Sequence, residues 1–297
     1  MNKKFWLLGL SLMMLAAFAL TGCGGDKKPE TKTAQPAGPQ TIKLAHVVNE
    51  KDGFHVAALK FKELVEQRTQ GKVKVELFPN AQLGDERTLI EGMQIGTVHM
   101  GVITNGPVAN FLPEIAAFEM PFLFNSPAQA YKVLDGEVGQ KVLAKLDAIN
   151  LKGLAYAERG FRNLTNSKRP VKTPADMAGL KIRVMENPVY IDTFKTLGTN
   201  PVPMAWTEAL TALQQGTIDG QENPINVIYS FKLNETQKHL SMTQHSYAPA
   251  LFLMSKKVFS GFDKATQDIL VKAAQEAAAH ERKWNGDQMA DMIKQLK

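Results

Sequence analysis

The sequence predicts an α/β protein of two lobes with a cleft between them, and three observations carry that prediction. From Thr41 the chain alternates strand-like and helix-like segments in the order β-α-β-α-β, which argues for a parallel or mixed sheet with helices packed on it. After Leu151 a second set of short strands and helices repeats the alternation. From about Asp263 the chain ends in one long run of strong helix formers, "ATQDILVKAAQEAAAHERKW".

Each element has its own warrant. "TIKLAHVV" (Thr41–Val48) reads as a strand and "FHVAALKFKELVEQRT" (Phe54–Thr69) as an amphipathic helix, with Val56, Leu59, Phe61, Leu64 and Val65 near one face. Gly71 stands where a left-handed residue closes a helix. "KVKVELF" (Lys72–Phe78) is the next strand, "GDERTLIEGMQIG" (Gly84–Gly96) a helix with acids at its start, and "VHMGVIT" (Val98–Thr104) a strand again. Helices are expected at Ala128–Leu134 and Glu137–Ile149, then a strand at Leu151–Tyr156. Short strands at Lys181–Met185, Val202–Met204 and Thr217–Asp219 are separated by helices at Tyr190–Leu197 and Thr207–Gln215. His239–Gln244 and Ala250–Ser255 read as two more strands.

The N-terminus points to export. Lys3 and Lys4 precede the uncharged apolar run Phe5–Leu20, which is shorter than the roughly 20 residues a spanning helix needs. "LTGC", Leu20–Cys23, resembles a bacterial lipobox, so residues 1–22 are expected to be a lipoprotein signal and Cys23 a lipidated residue. The competing reading is an uncleaved anchor with a chance cysteine. Residues 23–40, "CGGDKKPETKTAQPAGPQ", have no large apolar residue and read as a flexible tether. Cys23 is the only cysteine, so no disulfide forms within one chain.

Removing residues 1–22 takes away two lysines and no acid, lowering the formal net charge from +6 to +4. That balance suits an anionic ligand or membrane surface. It does not suggest nucleic acid, because no basic stripe is interleaved with aromatics. No G-x-S-x-G, Walker A, G-x-G-x-x-G or H-E-x-x-H motif is present, and the six histidines are scattered. No catalytic residue, metal site or cofactor is therefore expected.

A set of polar residues in apolar surroundings stands out instead. Arg159 and Arg162 follow the strand Leu151–Tyr156. Arg183 alternates with Ile182 and Val184 in "GLKIRVMENP", and a buried guanidinium demands an anion, either from this chain or from outside. Trp206 stands at a strand-to-helix boundary. "DGQENP" (Asp219–Pro224) alone would read as a turn.

Taken together these stretches resemble the DctP family, the substrate-binding proteins of tripartite ATP-independent periplasmic (TRAP) transporters. The resemblance rests on Arg162–Pro224, with "GLKIRVMENP" and "NPVPMAWTEALTALQQGTIDGQENP", on "FPNAQLGDERTLIEGMQIG" (Phe78–Gly96) and on "AAFEMPFLF" (Ala116–Phe124). It implies a periplasmic-binding-protein-like fold: two α/β lobes, hinge strands, and a long C-terminal helix across both. The lobes would span residues 41–160 with about 249–285, and 161–248 with about 286–297. It also implies that Arg183 forms a bidentate salt bridge with a substrate carboxylate. Arg162 and Asn223 fall on ligand-contacting positions and Trp206 on the aromatic that packs against the ligand. Glu86, Thr104 and His46 match first-lobe positions near the pocket. Relatives usually continue for some tens of residues past the last helix, so this chain looks short there, and many have a plain cleavable signal.

The expected function is an extracytoplasmic receptor, monomeric and tethered through Cys23 outside the membrane. It would bind a small organic acid, a C4-dicarboxylate or a sugar acid such as a uronate, and deliver it to permease subunits. An extracytoplasmic ligand-sensing lipoprotein feeding a signalling partner is the alternative, and an enzyme on a lipoprotein scaffold comes last.

Overall fold

The computed structural model describes residues 40–296, so the signal, Cys23 and the tether lie outside the described residues. Eight strands form one sheet: β1 (Gln40–Ala45), β2 (Val73–Phe78), β3 (Met100–Thr104), β4 (Leu151–Asn166), β5 (Lys181–Val184), β6 (Asn200–Pro203), β7 (Gly220–Pro224) and β8 (His239–Ser255), in the order β2-β1-β3-β8-β4-β7-β5-β6. In the first lobe the helices are α1 (Gly53–Arg68), α2 (Glu86–Ile95), α3 (Asn105–Val108), α4 (Pro127–Leu134) and α5 (Glu137–Lys145). The second lobe has α6 (Pro188–Thr196), α7 (Trp206–Gln215) and α8 (Ile225–Ser230). Two more, α9 (Lys256–Ser260) and α10 (Lys264–Gln295), close the described chain.

The order of pairing explains the two lobes. β2, β1 and β3 are parallel, and β3 takes up Ala250–Met254 at one end of β8. β7, β5 and β6 are also parallel, and β7 takes up Arg162–Asn166 at the far end of β4. Only the antiparallel pair β4–β8 runs through both halves. Its register shifts at three places, between Gly153 and Ala155, Glu158 and Gly160, and Arg162 and Leu164, and at the middle one Gly160 adopts φ 101°. A bulge bends a ladder locally, so this is where the connecting ribbon is formed to flex.

α10 spans 32 residues, or about 48 Å at 1.5 Å per residue. Asp263 caps it by accepting from the Thr266 amide. Its buried stripe, Leu270, Ala273, Ala274, Ala277 and Ala278, keeps helical spacing with small side chains, so α1 packs close against it. At Gly53, the first residue of α1, a Cβ would meet Asn285 Oδ1 at 2.8 Å and Glu281 Oε1 at 2.9 Å, so a larger residue would have to displace those two side chains. Farther along, α10 also contacts α8 and β4. The larger core gathers residues such as Phe54, Phe61, Leu89 and Phe252, and the smaller one, under β5, gathers Ile182, Val184, Tyr190 and Phe194.

Five expectations are corrected. The buried stripe of α1 is Phe54, Ala57, Ala58, Phe61, Leu64 and Val65; Leu59 is exposed and Val56 only half-buried. The strand at Leu151 continues to Asn166, so Arg159 and Arg162 lie within it, not after it. The segments at 239 and 250 are one strand. The seventh strand is Gly220–Pro224, not Thr217–Asp219, and "GQENP" is therefore no turn. Pairing with β4 on one side and β5 on the other satisfies its backbone and overrides the turn preference of Gly, Asn and Pro. Finally, Glu137–Ile149 is helical only to Lys145 and tightens to 3-10 from Leu146.

Candidate ligand-binding cleft

The two lobes meet at the carboxyl ends of their parallel strands, where ligands bind in open α/β sheets. Arg183 leaves β5 there, buried to 4 % exposure. Its Nε and Nη2 both donate to the Met204 carbonyl, at 3.0 and 2.7 Å, which fixes one edge of the guanidinium. Its carbon sits 5.5 Å from the Trp206 ring, in cation–π range. Among the described residues no carboxylate comes within salt-bridge distance of it. Burial pulls its pKa down to about 10, with the charges of Glu222 and Glu86 pushing back and that of Arg162 adding to the fall. It remains a cation at neutral pH.

Trp206, the first residue of α7, lines the same space, and its Nε1 is buried with no acceptor. Glu86, the first residue of α2, faces it from the other lobe. Its Oε1 accepts from the Thr104 amide at 2.6 Å, and burial pushes its pKa up against that hydrogen bond. Asp85, Glu186, Met185 and Asn110 complete much of the wall. Asn110 Nδ2 crosses from the first lobe to the Glu186 carbonyl at 2.6 Å. The cavity left between these groups is about 20 Å³, room for roughly one water. The lobes are closed on each other.

The structure thus brings Arg183, Trp206 and Glu86 to one cavity, with Thr104 directly behind Glu86. His46 is next to Val47 of the wall, but fully buried. Its Nε2 meets His55 Nδ1 at 3.1 Å, and burial, then the His55 and Arg159 charges, take its pKa down to about 3, so it is neutral. Asn223 lies off the wall, donating to Gln221 Oε1 at 2.6 Å. Arg162 already has its carboxylate. Its Nε and Nη2 grip both oxygens of Glu222, and Nη2 also donates to the Glu222 carbonyl at 2.6 Å. His245 Nε2 stands 3.1 Å from the same Glu222 carboxylate. Burial opposes both charges, yet their mutual attraction prevails: the Arg162 charge, with the His245 hydrogen bond, holds Glu222 below the usual range, and the Glu222 charge holds Arg162 above its own.

Sequence reasoning missed Asn110, Met185 and Glu186, which lie outside any polar-in-apolar pattern. It also missed the Glu222 partnership, although Glu222 stands beside the quoted Asn223. Arg159 belongs to the frame: its Nη1 donates to Asp52 at 2.7 Å and its guanidinium covers the Phe54 ring at 3.8 Å, tying the cap of α1 to the hinge strand. Among the described residues no helix is long and apolar enough to cross a membrane, and no group of three or more His, Cys, Asp or Glu could hold a metal ion.

Comparison with known proteins agrees with this architecture. Residues 44–297 match the DctP family model, described as bacterial extracellular solute-binding protein, family 7. The chain is 42 % identical over 258 residues to the 2,3-diketo-L-gulonate-binding periplasmic protein YiaO of Escherichia coli, covering 87 % of this chain and 79 % of that one. A TRAP periplasmic solute-binding protein of Polaromonas, solved with D-erythronate, superposes with a TM-score of 0.85 at 45 % identity, over 86 % of this chain and 85 % of that one. One from Sulfurospirillum deleyianum with bound succinate gives 0.83 at 35 % identity, over 88 % and 84 %. The chain therefore belongs to the DctP family, the extracellular solute-binding proteins that serve as substrate receptors of TRAP transporters.

Proposed function

We propose that this receptor binds a hydroxylated sugar acid, holds its carboxylate on Arg183, and delivers it to TRAP permease subunits. The observation that carries the reading is a buried cation with no carboxylate of its own, sharing a cavity with the unpartnered Nε1–H of Trp206. An arriving carboxylate would meet the guanidinium through two parallel N–H···O bonds and relieve an uncompensated charge. The same relief would help hold the lobes shut. The rest of the wall favours a sugar acid over a dicarboxylate. Asp85 and Glu186 would oppose a second carboxylate, whereas hydroxyl groups can donate to them; the other lining cation, Arg87, is paired with Glu91. The relatives at 42 and 45 % identity are named for 2,3-diketo-L-gulonate and solved with D-erythronate, hydroxylated or oxidised sugar acids of the kind this wall suits. Their transport role favours a receptor over a sensor.

Around this site, lobe 1 comprises residues 41–160 with about 249–285, and lobe 2 residues 161–248 with about 286–297. Arg162 and Asn223 support the second-lobe side of the site from behind, Arg162 through its pair with Glu222 and Asn223 through Gln221, and His46 and Thr104 support the first-lobe wall. Cleavage before Cys23 and its lipidation leave a monomer tethered through residues 23–40 outside the membrane. Cys23→Ser should move the protein from the membrane fraction to the soluble fraction.

A thermal-unfolding screen tests the reading, using protein unfolded and refolded to strip carried-over ligand, against aldonates, uronates, 2-oxo sugar acids and dicarboxylates. A ligand at 100 times its Kd adds about 2.7 kcal/mol, several degrees at roughly 2–4 °C per kcal/mol. A shift with a sugar acid, lost in Arg183→Ala and not restored by Arg183→Lys, is the expected result. Cooperative unfolding that no acid shifts would sink the reading.

A further inference from the structure

Glu119 ends the 3-10 segment Pro113–Glu119 of the first lobe and is fully buried against the second. Its Oε2 accepts from Asn187 Nδ2 at 2.9 Å, and its Oε1 lies 3.4 Å from the Tyr190 hydroxyl. Its backbone carbonyl accepts from Ser246 Oγ at 3.0 Å. Asn187 caps α6 in the second lobe, and its Nδ2 also donates to the Gly106 carbonyl at 3.2 Å. One amide thus bonds the second lobe to two segments of the first.

None of these donors carries a charge. The cation nearest in influence, Arg162, is committed to Glu222. A carboxylate at position 119 would have one amide donor, one distant hydroxyl and the Glu222 charge across from it. An independent observation stands beside it. Asn105 lies beside the Glu119 carboxyl, and as a donor it would favour the charged form, but its Nδ2 is given to the Ile115 carbonyl at 3.1 Å and its buried Oδ1 finds no donor. A buried acceptor left unsatisfied is costly, and the donor at hand is a carboxyl proton.

We propose that Glu119 is a positioning residue held as a neutral acid in the closed protein, its O–H donated to Asn105 Oδ1, and that closing the cleft on a ligand takes up this proton. The coupling to ligand rests on the receptor reading above; the protonation of Glu119 does not. The neighbouring hydroxyls complete the network: Ser246 donates to the Glu119 carbonyl, and the Tyr190 hydroxyl, 3.2 Å from Ser246 Oγ, donates to that oxygen. The groups that face Glu119 are Asn105 from α3, Asn187 and Tyr190 from α6, Ser246 from β8, Arg162 from β4 and Glu222 from β7, with His245 of β8 behind Glu222. Glu114, on its own segment, is turned outward to Lys145. Burial takes the Glu119 pKa up to about 8, helped by the Glu222 charge and against the pull of the Arg162 charge and of hydrogen bonding from Asn105 and Tyr190.

The sign follows from linkage. In an opened cleft, water returns the carboxyl toward its ordinary value of 4.5. The closed form holds the proton more firmly, so its advantage is complete below that value. It falls as pH rises, by up to about tenfold per unit, and levels off once the closed-state carboxyl has itself ionised.

The test has two arms. Affinity for the acid found by the thermal screen is measured from about pH 5 to about pH 9, with proton uptake read by calorimetry in buffers of different ionisation heat. Glu119→Gln presents Nε2–H to Asn105 and Oε1 to Asn187, and so mimics the neutral acid. The wild type should lose affinity with rising pH and take up a proton near neutrality, and Glu119→Gln should flatten the profile and lower the uptake. Unchanged profile and uptake in Glu119→Gln would overturn the coupling. The second arm needs no ligand: infrared difference spectra between wild type and Glu119→Gln should show a protonated carboxylic-acid band at neutral pH that fades in alkali. Should Glu119→Gln fold poorly, Asn105→Ala is expected to shift the same band by removing its acceptor. A carboxylate signature for Glu119 at neutral pH refutes the proposal even if no ligand is found. If no acid binds but the band is present, the receptor reading fails and the protonation of Glu119 stands.

Discussion

Arg162 and Arg183 are both buried arginines of the second lobe, yet they ask for different experiments. Arg162 and Glu222 satisfy each other, so Arg162→Met should leave an uncompensated buried carboxylate and cost about 3–5 kcal/mol in a denaturation series. Arg162→Met combined with Glu222→Met should recover much of that loss; if it recovers nothing, the pair is not the reason for the damage. Trp206→Phe keeps a ring against Arg183 and removes only the unpartnered N–H. It should weaken ligand binding by about 1 kcal/mol, roughly fivefold, with little change in stability of the free protein. Arg183 was legible because a strand that alternates apolar residues with arginine sets a charge on a buried edge, and the family resemblance gave it a role. Glu222 was not. In "GQENP" three polar residues stand together, and only the ladder to β4 reveals that one of them meets Arg162.

At the level of elements, the sequence displayed best the units whose signal is local. α1, α2, α7 and α10 sit within two residues of their expected starts, because caps and apolar spacing are written in neighbouring residues. The long strands were cut short for a physical reason. "AERGFRNLTN" carries two arginines and an acid, which break the apolar pattern of a strand, and they are buried in pairs with Asp52, Glu222 and Tyr247 supplied from far along the chain. Gly160 is the residue of β4 that permits its bend. A Cβ there meets nothing closer than 3.7 Å, so space is not the constraint; the φ of 101° is. Gly160→Ala should therefore destabilise by about 1–3 kcal/mol through backbone strain alone. Gly179→Ala, also at positive φ but outside the sheet's connecting ribbon, should leave ligand affinity unchanged. A shift in ligand affinity for Gly160→Ala greater than its loss of stability explains would mark the bulge as part of the closing motion.

For the whole molecule, the balance of buried acids sets the pH response. Glu86, Glu119, Glu158 and Glu281 all have pKa values pushed up, foremost by burial. A raised carboxyl stabilises the fold fully below its ordinary value and loses that contribution as pH climbs through the folded one. Glu222 runs the other way, since its depressed value is lost only on strong acidification. Below about pH 6.5 the lowered histidines His46, His55 and His99 act in the opposite sense, so the melting temperature should fall from about pH 7 to about pH 9, with Glu119→Gln reducing the slope. A melting temperature that rises over that range would show that the raised acids are not protonated in the fold. The two-lobed plan itself was visible from the order of elements, whereas the closed cleft was not, because closure is a distance between lobes and leaves no periodic trace in either.

The weave of the sheet has a further consequence for how such a protein can change over generations. The first lobe takes strands from the start, the middle and the late part of the chain, and the second takes both β4 and β8 from the same shared ladder. No contiguous stretch of gene encodes either lobe entire. A recombination event that swapped residues 161–248 between two receptors would cut both β4 and β8 within their shared ladder, so each strand of the connecting ribbon would be half from one parent and half from the other. Substitution within the wall, residue by residue, changes specificity while leaving that ribbon intact.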